Sequence, residues 1–283
     1  MADAHRRVAV AERAARAGGA VARDAFRGEL RVETKADKND LVTEADEAAQ
    51  RQVIATVREE FPNDAVVGEE EATPSGGPGE DVEVHKSLPE GRDTWVIDPI
   101  DGTTNFAGGL RLWATSVAAV AGGEVVAGAT YLPTVDDMYA AGDDGGSRNG
   151  SPLAVSEKTD PETFIAVPVG AFAREDGGAE RFGAGCAAVG ERLGDLRRFG
   201  SMQATLAFVA SGEIDATFDP EREAVWDTLA GVHMVREAGG TVTDIEGEPW
   251  EPESEGLVAS NGEAHGTVLD VARASSERTG PES

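Results

Sequence analysis

Residues 94–104 read TWVIDPIDGTT, an apolar run that delivers two carboxylates, Asp98 and Asp101, three positions apart. A carboxylate at the end of a buried strand is costly unless it is paired or binds a cation. Pro99 keeps Asp98 out of helical geometry and stiffens the turn, so Asp101 can face the same point in space. Gly102 lets the backbone approach closely, and Thr103 and Thr104 can open a helix. The first N–H groups and the dipole of such a helix favour a phosphate. Two hard oxygen ligands beside an anion-binding turn suit Mg²⁺, which keeps waters for a substrate. An Asp-Pro turn before a capped helix is also ordinary structure, so the other acids have to decide.

Three further places carry acids beside apolar runs. Glu69 and Glu70 follow Ala65-Val66-Val67-Gly68, Asp227 interrupts AVWDTLAGVHMV, and Asp46 lies on an early helical turn after Asp40-Leu41-Val42-Thr43. Acids on a merely solvated face lack such neighbours. The cluster favours the metal reading.

The elements that must position these acids are legible from periodicity and turn chemistry. Residues 5–27 have helical spacing, weakened by Gly18 and Gly19. A second helix starts at Thr43, whose hydroxyl can cap it, and runs to Phe61-Pro62. Strands are predicted at 65–68 and at 94–97, with Asp98 at the latter's end, and 72–92 reads as a loop or insertion. Stretches 113–120 and 124–131 form a hairpin around Gly122-Gly123, and 143–149 is another turn. Later come strands at 163–168, 196–199 and 214–218, and helices at 179–193, 202–211 and 226–238. The class is α/β (α+β). Residues 1–150 form an N-terminal half with most ligand candidates, 151–270 a second half that completes the site, and 271–283 a flexible tail.

Composition narrows the function. The 283 residues carry 25 basic and 53 acidic side chains, a net charge of −28, which repels nucleic acid and anionic membranes. One cysteine, Cys186, excludes an internal disulfide and a cysteine metal cluster, and fits a small core residue. The four histidines are too scattered for a zinc site. No segment has the apolar length of a membrane span or a signal peptide, so a cytoplasmic protein is expected. Only Lys35, Lys38, Lys86 and Lys158 are lysines. Acidic, Lys-poor composition suits a concentrated-salt cytoplasm, where salt screens self-repulsion.

Four blocks, in order, resemble the inositol monophosphatase family, within the group that includes fructose-1,6-bisphosphatases. Asp40 to Asp46 (DLVTEAD) is similar to its D-L-V-T-x-x-D motif, and Gly68-Glu69-Glu70 to its G-E-E. Trp95 to Asn105 (WVIDPIDGTTN) matches its signature almost letter for letter, and Trp226-Asp227 with Glu237-Ala238-Gly239-Gly240 is similar to its W-D … E-A-G-G block. The likeness spans about residues 35–262, and the composition suggests a haloarchaeal-type member.

The resemblance implies a layered α/β/α/β/α sandwich, a homodimer, and a Mg-dependent phosphomonoesterase acting on inositol monophosphate or a related sugar phosphate. It implies that Glu69, Asp98 and the Ile100 carbonyl hold one Mg²⁺, that Asp98, Asp101 and Asp227 hold a second, and that a weaker third lies near Glu69. Thr103 and Asp46 would orient and deprotonate the metal-activated water, with Glu69 a competing base. The Gly102 and Thr103 amides would hold the phosphate. Gly200, Ser201 and Asp227 would contact the substrate, and a plain helix start capped by Ser201 is compatible with that. Li⁺ inhibition is also implied. Lys35 stands where the family has a lysine near the active site, and its plain alternative is a solvated loop charge.

One place departs from the pattern. Animal-type members carry a Glu seven residues before the W-D aspartate, where this chain has Pro220. Asp219 or Glu221 could substitute, or Arg222 could serve a second phosphate. Fructose 1,6-bisphosphate therefore stays open beside inositol monophosphate, with 3′-phosphoadenosine 5′-phosphate and a non-catalytic relative as weaker readings.

Overall fold

In the computed structural model the described residues are 2–28, 32–34, 41–71, 82–170 and 177–276. Lys35, Asp40, the side chain of Thr43, residues 72–81 of the expected loop and residues 277–283 of the expected tail lie outside them.

The chain begins with a long helix, α1 (Ala2–Ala25), then a small antiparallel pair, β1 (Val32–Thr34) and β2 (Leu41–Thr43), and α2 (Glu44–Arg58). Next come β3 (Ala65–Gly68), β4 (Val84–His85), β5 (Thr94–Asp101) and a one-turn helix, α3 (Thr103–Ala107). A meander follows: β6 (Ala114–Ala121), β7 (Glu124–Leu132), β8 (Asp137–Gly142), β9 (Gly145–Arg148) and β10 (Ser151–Pro152). The remainder alternates: β11 (Ile165–Pro168), α4 (Gly178–Arg192), β12 (Asp195–Leu196), α5 (Met202–Ala210), β13 (Ala216–Asp219), α6 (Val225–Glu237), β14 (Thr241–Thr243), β15 (Leu257–Ser260) and α7 (His265–Ser276).

These elements stack as the expected layers. An eight-stranded sheet, ordered β10-β9-β8-β7-β6-β5-β3-β4, has α1 and α2 on one face and α5 and α6 on the other. A five-stranded sheet, ordered β12-β11-β13-β15-β14, covers α5 and α6 from the far side and carries α4 and α7 outside. Both faces of β6 are covered, so Ala114–Val120 is buried throughout and reads as a continuous apolar run. The largest apolar cluster joins the two sheets through α5 and α6: Val67, Val96 and Ala118 share it with Leu206, Met234 and Leu257.

The Gly18-Gly19 pair does not interrupt α1. A Cβ on Gly18 would lie 2.5 Å from Val53 Cγ2, so the missing side chain is what lets α1 and α2 touch. Arg7, 2% exposed, anchors the same helix through Asp64 (2.7 Å) and Asp93 (2.8 Å).

Several expectations are corrected. Strand β5 does not end at Asp98 but continues to Asp101, with a register shift against β6 between the two acids. Pro99 has no N–H for the ladder, and the Thr115 hydroxyl reaches its carbonyl at 2.7 Å. The turn expected at 143–149 is split into Asp143-Asp144 and a second turn at Asn149-Gly150, because Gly145–Arg148 pairs with β8 as β9. Within the expected loop at 72–92, Val84–His85 adds a short parallel strand to β3. Only Asp195–Leu196 forms the strand expected at 196–199. The tail does not fray at 271: Val271 and Ala272 are fully buried in α7, whose apolar face covers β13 and β15. Cys186 is half-buried on α4, and burial pushes its thiol up.

Candidate metal and phosphate site

Strand β5 lies inside the large sheet, between β6 and β3, and delivers Asp98 to a buried position. Asp98 is 1% exposed, and neither carboxylate oxygen has a hydrogen-bond partner among the described residues. Burial first, and then the charges of Glu69, Asp101, Asp227 and Asp46, hold its carboxyl well above the usual range. A buried, unpartnered carboxylate among acids is destabilising by itself and becomes favourable when a cation arrives. That is the fit of this site to a divalent metal.

Two groups of acids have oxygen atoms within 4.8 Å of one another: Asp98 with Asp101 and Asp227, and Asp46 with Glu69 and Glu70. The first is the set expected for one metal position. In the second, Glu69 groups with Asp46 and Glu70 rather than with Asp98, although it is the strongest charge acting on Asp98. Asp227 arrives from the first turn of α6, and Asp46 from the first turn of α2.

Asp101 has a second duty that its position in the motif does not reveal. Its Oδ1 accepts the Met202 amide at 3.0 Å, and its Oδ2 accepts the Gln203 amide at 2.7 Å, the Ala204 amide at 3.3 Å and the Ser201 hydroxyl. It therefore caps α5 beside Ser201, the helix's own N-cap, whose hydroxyl accepts from Ala204 at 3.3 Å. Burial raises the Asp101 carboxyl, and these donors oppose the rise. Ser201 is thus buried and engaged in capping, a role compatible with a substrate contact.

The turn after Asp101 is as tight as its glycine requires. Gly102 has φ 91°, and a Cβ there would meet the Gly200 carbonyl at 3.0 Å. Gly200, φ 71°, is exposed and packs against it, held by Asn105, whose Nδ2 donates to the carbonyls of Phe199 (2.7 Å) and Leu112 (2.6 Å). Helix α3 opens at Thr103, and the Thr103 hydroxyl donates to the Ile100 carbonyl at 3.0 Å. That carbonyl keeps its second lone pair.

Sequence reasoning missed the residues that hold this arrangement. Gln50 donates to the Glu70 carbonyl at 2.7 Å and accepts its amide at 3.0 Å. It lies four residues after Asp46 on one helix face, a spacing that could have flagged it. Gln203 donates to the Trp226 carbonyl at 2.6 Å and accepts the Gly231 amide at 2.9 Å, fixing the start of α6. No local signal marks it.

Around the departure from the family pattern, Asp219 is fully buried and accepts the Glu221 amide at 2.9 Å. Glu221 pairs with Arg181 of α4. Both expected substitutes are thereby engaged, while Arg222 is exposed.

Comparison with known proteins bears on the whole chain. The profile of the "Inositol monophosphatase family" matches residues 3–277. The "Fructose-1,6-bisphosphatase/inositol-1-monophosphatase" of Thermotoga maritima is 33% identical over 242 residues, covering 85% of each chain. The "Nus factor SuhB" of Vibrio cholerae is 30% identical over 262 residues, covering 91% of this chain and 92% of the relative. Among solved structures, a Thermotoga maritima IMPase superposes with a TM-score of 0.82 at 29% identity, covering 95% of this chain and 97% of that one. No helix among the described residues is long and apolar enough to cross a membrane.

Proposed function

Because this chain belongs to the inositol monophosphatase family, whose relatives are phosphoric monoester hydrolases, we propose that it hydrolyses a small phosphorylated polyol or sugar in a Mg²⁺-dependent reaction. The observation that carries this reading is Asp98, a buried carboxylate with two unpartnered oxygens among four other acids.

Asp98, Asp101 and Asp227 would hold one cation, and Glu69, Asp98 and the Ile100 carbonyl a second, with the Asp46–Glu69–Glu70 group able to take a weaker third. Such cations supply Lewis-acid activation of water and neutralise charge on the phosphoryl oxygens. The chain's own residues do the rest by position. The Gly102 and Thr103 amides hold the phosphate at the tight turn. The Thr103 hydroxyl donates to Ile100, so its oxygen faces water as an acceptor. Asp46, paired with Thr103, would take the proton of the attacking water, with Glu69 as the competing base, and Gly200, Ser201 and Asp227 would contact the alcohol portion. Every acid the chemistry needs is present, which argues against a non-catalytic relative.

Phosphate release from inositol 1-phosphate, fructose 1,6-bisphosphate and 3′-phosphoadenosine 5′-phosphate, each with Mg²⁺ and with EDTA, tests this. Metal-dependent turnover of the first is expected. Because Asp219 and Glu221 are engaged and Arg222 is exposed, turnover of the bisphosphate is the second reading. Silence on all three from folded protein would remove the proposal.

A further inference from the structure

Short strand β4 pairs in parallel with β3, Val67 opposite His85, and so brings Lys86 to the end of β3 where the second acidic group begins. The Lys86 ammonium donates to the Glu69 carbonyl at 2.6 Å and to the Gly68 carbonyl at 3.3 Å. It also lies 5.6 Å from the centre of the Trp226 ring. Those partners come from two parts of the chain: Glu69 directly follows β3, and Trp226 immediately precedes Asp227 on α6.

We propose that Lys86 is a positioning residue for the metal site, a clamp that fixes the Glu69 end of β3 against the Trp226–Asp227 start of α6. The inference rests on the metal-site reading above. The ammonium's partners are two backbone oxygens and an aromatic face, none of them a carboxylate. Two of its donors are thus turned to the frame around the acids, and a cation over an indole face is attracted by the ring quadrupole. Fixing both ends matters because the acids repel one another, and carboxylates held in place bind a cation without first having to be gathered. Gln203 holds the Trp226 carbonyl from the other side, at 2.6 Å, so the ring has a fixed base on which Lys86 rests.

The test compares wild type, Lys86→Met and Lys86→Arg. Mg²⁺ binding is measured by calorimetry, amide hydrogen exchange is measured on the metal-free proteins, and turnover is followed against Mg²⁺. The methionine keeps the apolar stem and loses the ammonium. Its Mg²⁺ dissociation constant should rise about 10-fold, as for loss of a group supporting a ligand, with kcat recovered at saturating Mg²⁺. Exchange at residues 67–70 should quicken, and Lys86→Arg should restore both.

Unchanged or tighter Mg²⁺ binding in Lys86→Met would overturn the clamp, tighter binding meaning that the lysine acts only as a repelling charge. Normal Mg²⁺ binding with a raised KM would overturn it too, in favour of a contact to substrate phosphate. Wild type that binds no Mg²⁺ would sink the metal-site reading instead. Hydrogen exchange in the metal-free proteins would still report on the clamp, and unchanged exchange in Lys86→Met would overturn it.

Discussion

The backbone N–H of Gln203 donates to Asp101 Oδ2 at 2.7 Å, so an acid from the central strand β5 caps a helix that begins one hundred residues further along the chain. The same carboxylate lies within 4.8 Å of the Asp98 and Asp227 oxygens. Metal site and helix start are therefore built on one side chain, and the two roles can be separated.

Asp101→Asn keeps an acceptor oxygen for the amides but loses the charge. Asp101→Ala loses both. The alanine variant should lose about 2 kcal/mol of stability, the upper end for a lost cap, and the asparagine variant less than about 1 kcal/mol. Both should lose turnover. Urea unfolding beside phosphate release reads the two effects, and an alanine variant as stable as wild type would refute the capping role.

Asp98→Asn should nearly abolish turnover and yet raise the melting temperature in EDTA. The carboxylate it replaces is buried, unpartnered and held above its usual pKa by burial and neighbouring acids. A neutral amide of the same shape costs less there, although its own polar atoms stay unsatisfied. About 1 kcal/mol corresponds to a rise of about 2–4 °C for a chain of this size. A scan in EDTA that shows a lower melting temperature would contradict the account of Asp98.

His233, 7% exposed on α6, has its pKa lowered from 6.5 to about 4, mainly by burial, with Asp143 opposing and Arg236 adding to the shift. The unfolded chain takes up the proton near 6.5 and the folded one near 4. Stability is therefore indifferent to this group above about pH 6.5 and falls as the pH drops from there toward 4. The full effect is about 3 kcal/mol. His233→Gln removes the titration, so the stability gap between wild type and variant should change by about that amount between pH 7 and pH 4. A constant gap would show that the imidazole charges freely in the fold.

Helix α6 sits on β7 at Gly128, where a Cβ would lie 2.7 Å from the Ala230 carbonyl and 3.1 Å from its Cα. Both atoms are backbone, so the helix must move. Gly128→Ala should destabilise by about 1–3 kcal/mol and weaken Mg²⁺ binding by shifting Asp227. Calorimetry with Mg²⁺ checks the second effect, and unaltered stability and binding would show that α6 has slack.

The net charge of −28 predicts a melting temperature that rises toward molar KCl, as salt screens the repulsion among surface acids. A flat or falling curve would remove the reading of a high-salt cytoplasm.

The sequence by itself determined the family, through its motifs, and most of the elements. Asp98 and Asp101 were legible as a pair, with Asp46, Glu69, Glu70 and Asp227 as further acids beside apolar runs, while the grouping with Asp227 came from the family resemblance. Each helix from α1 to α6 except the single turn α3 was readable over nearly its full length, α3 showing only its opening at Thr103. The hairpin between β6 and β7 was equally plain, since Gly122 and Gly123 both adopt the positive φ that its turn requires. Strands β8, β14 and β15 and helix α7 gave no such signal. Strand β8 is buried over nearly its whole length and so shows no alternation, β14 and β15 are short, and the burial of Val258 and Val271 exists only once the five-stranded sheet has formed.

What the tertiary structure alone decided is which polar groups meet. Asp101 reaches Gln203, Lys86 reaches Glu69 and Trp226, and Gln203 reaches Trp226 across separations that no periodicity encodes. Hydrogen bonds depend on distances of about 3 Å and on direction, whereas local pattern fixes only which face of an element a residue occupies.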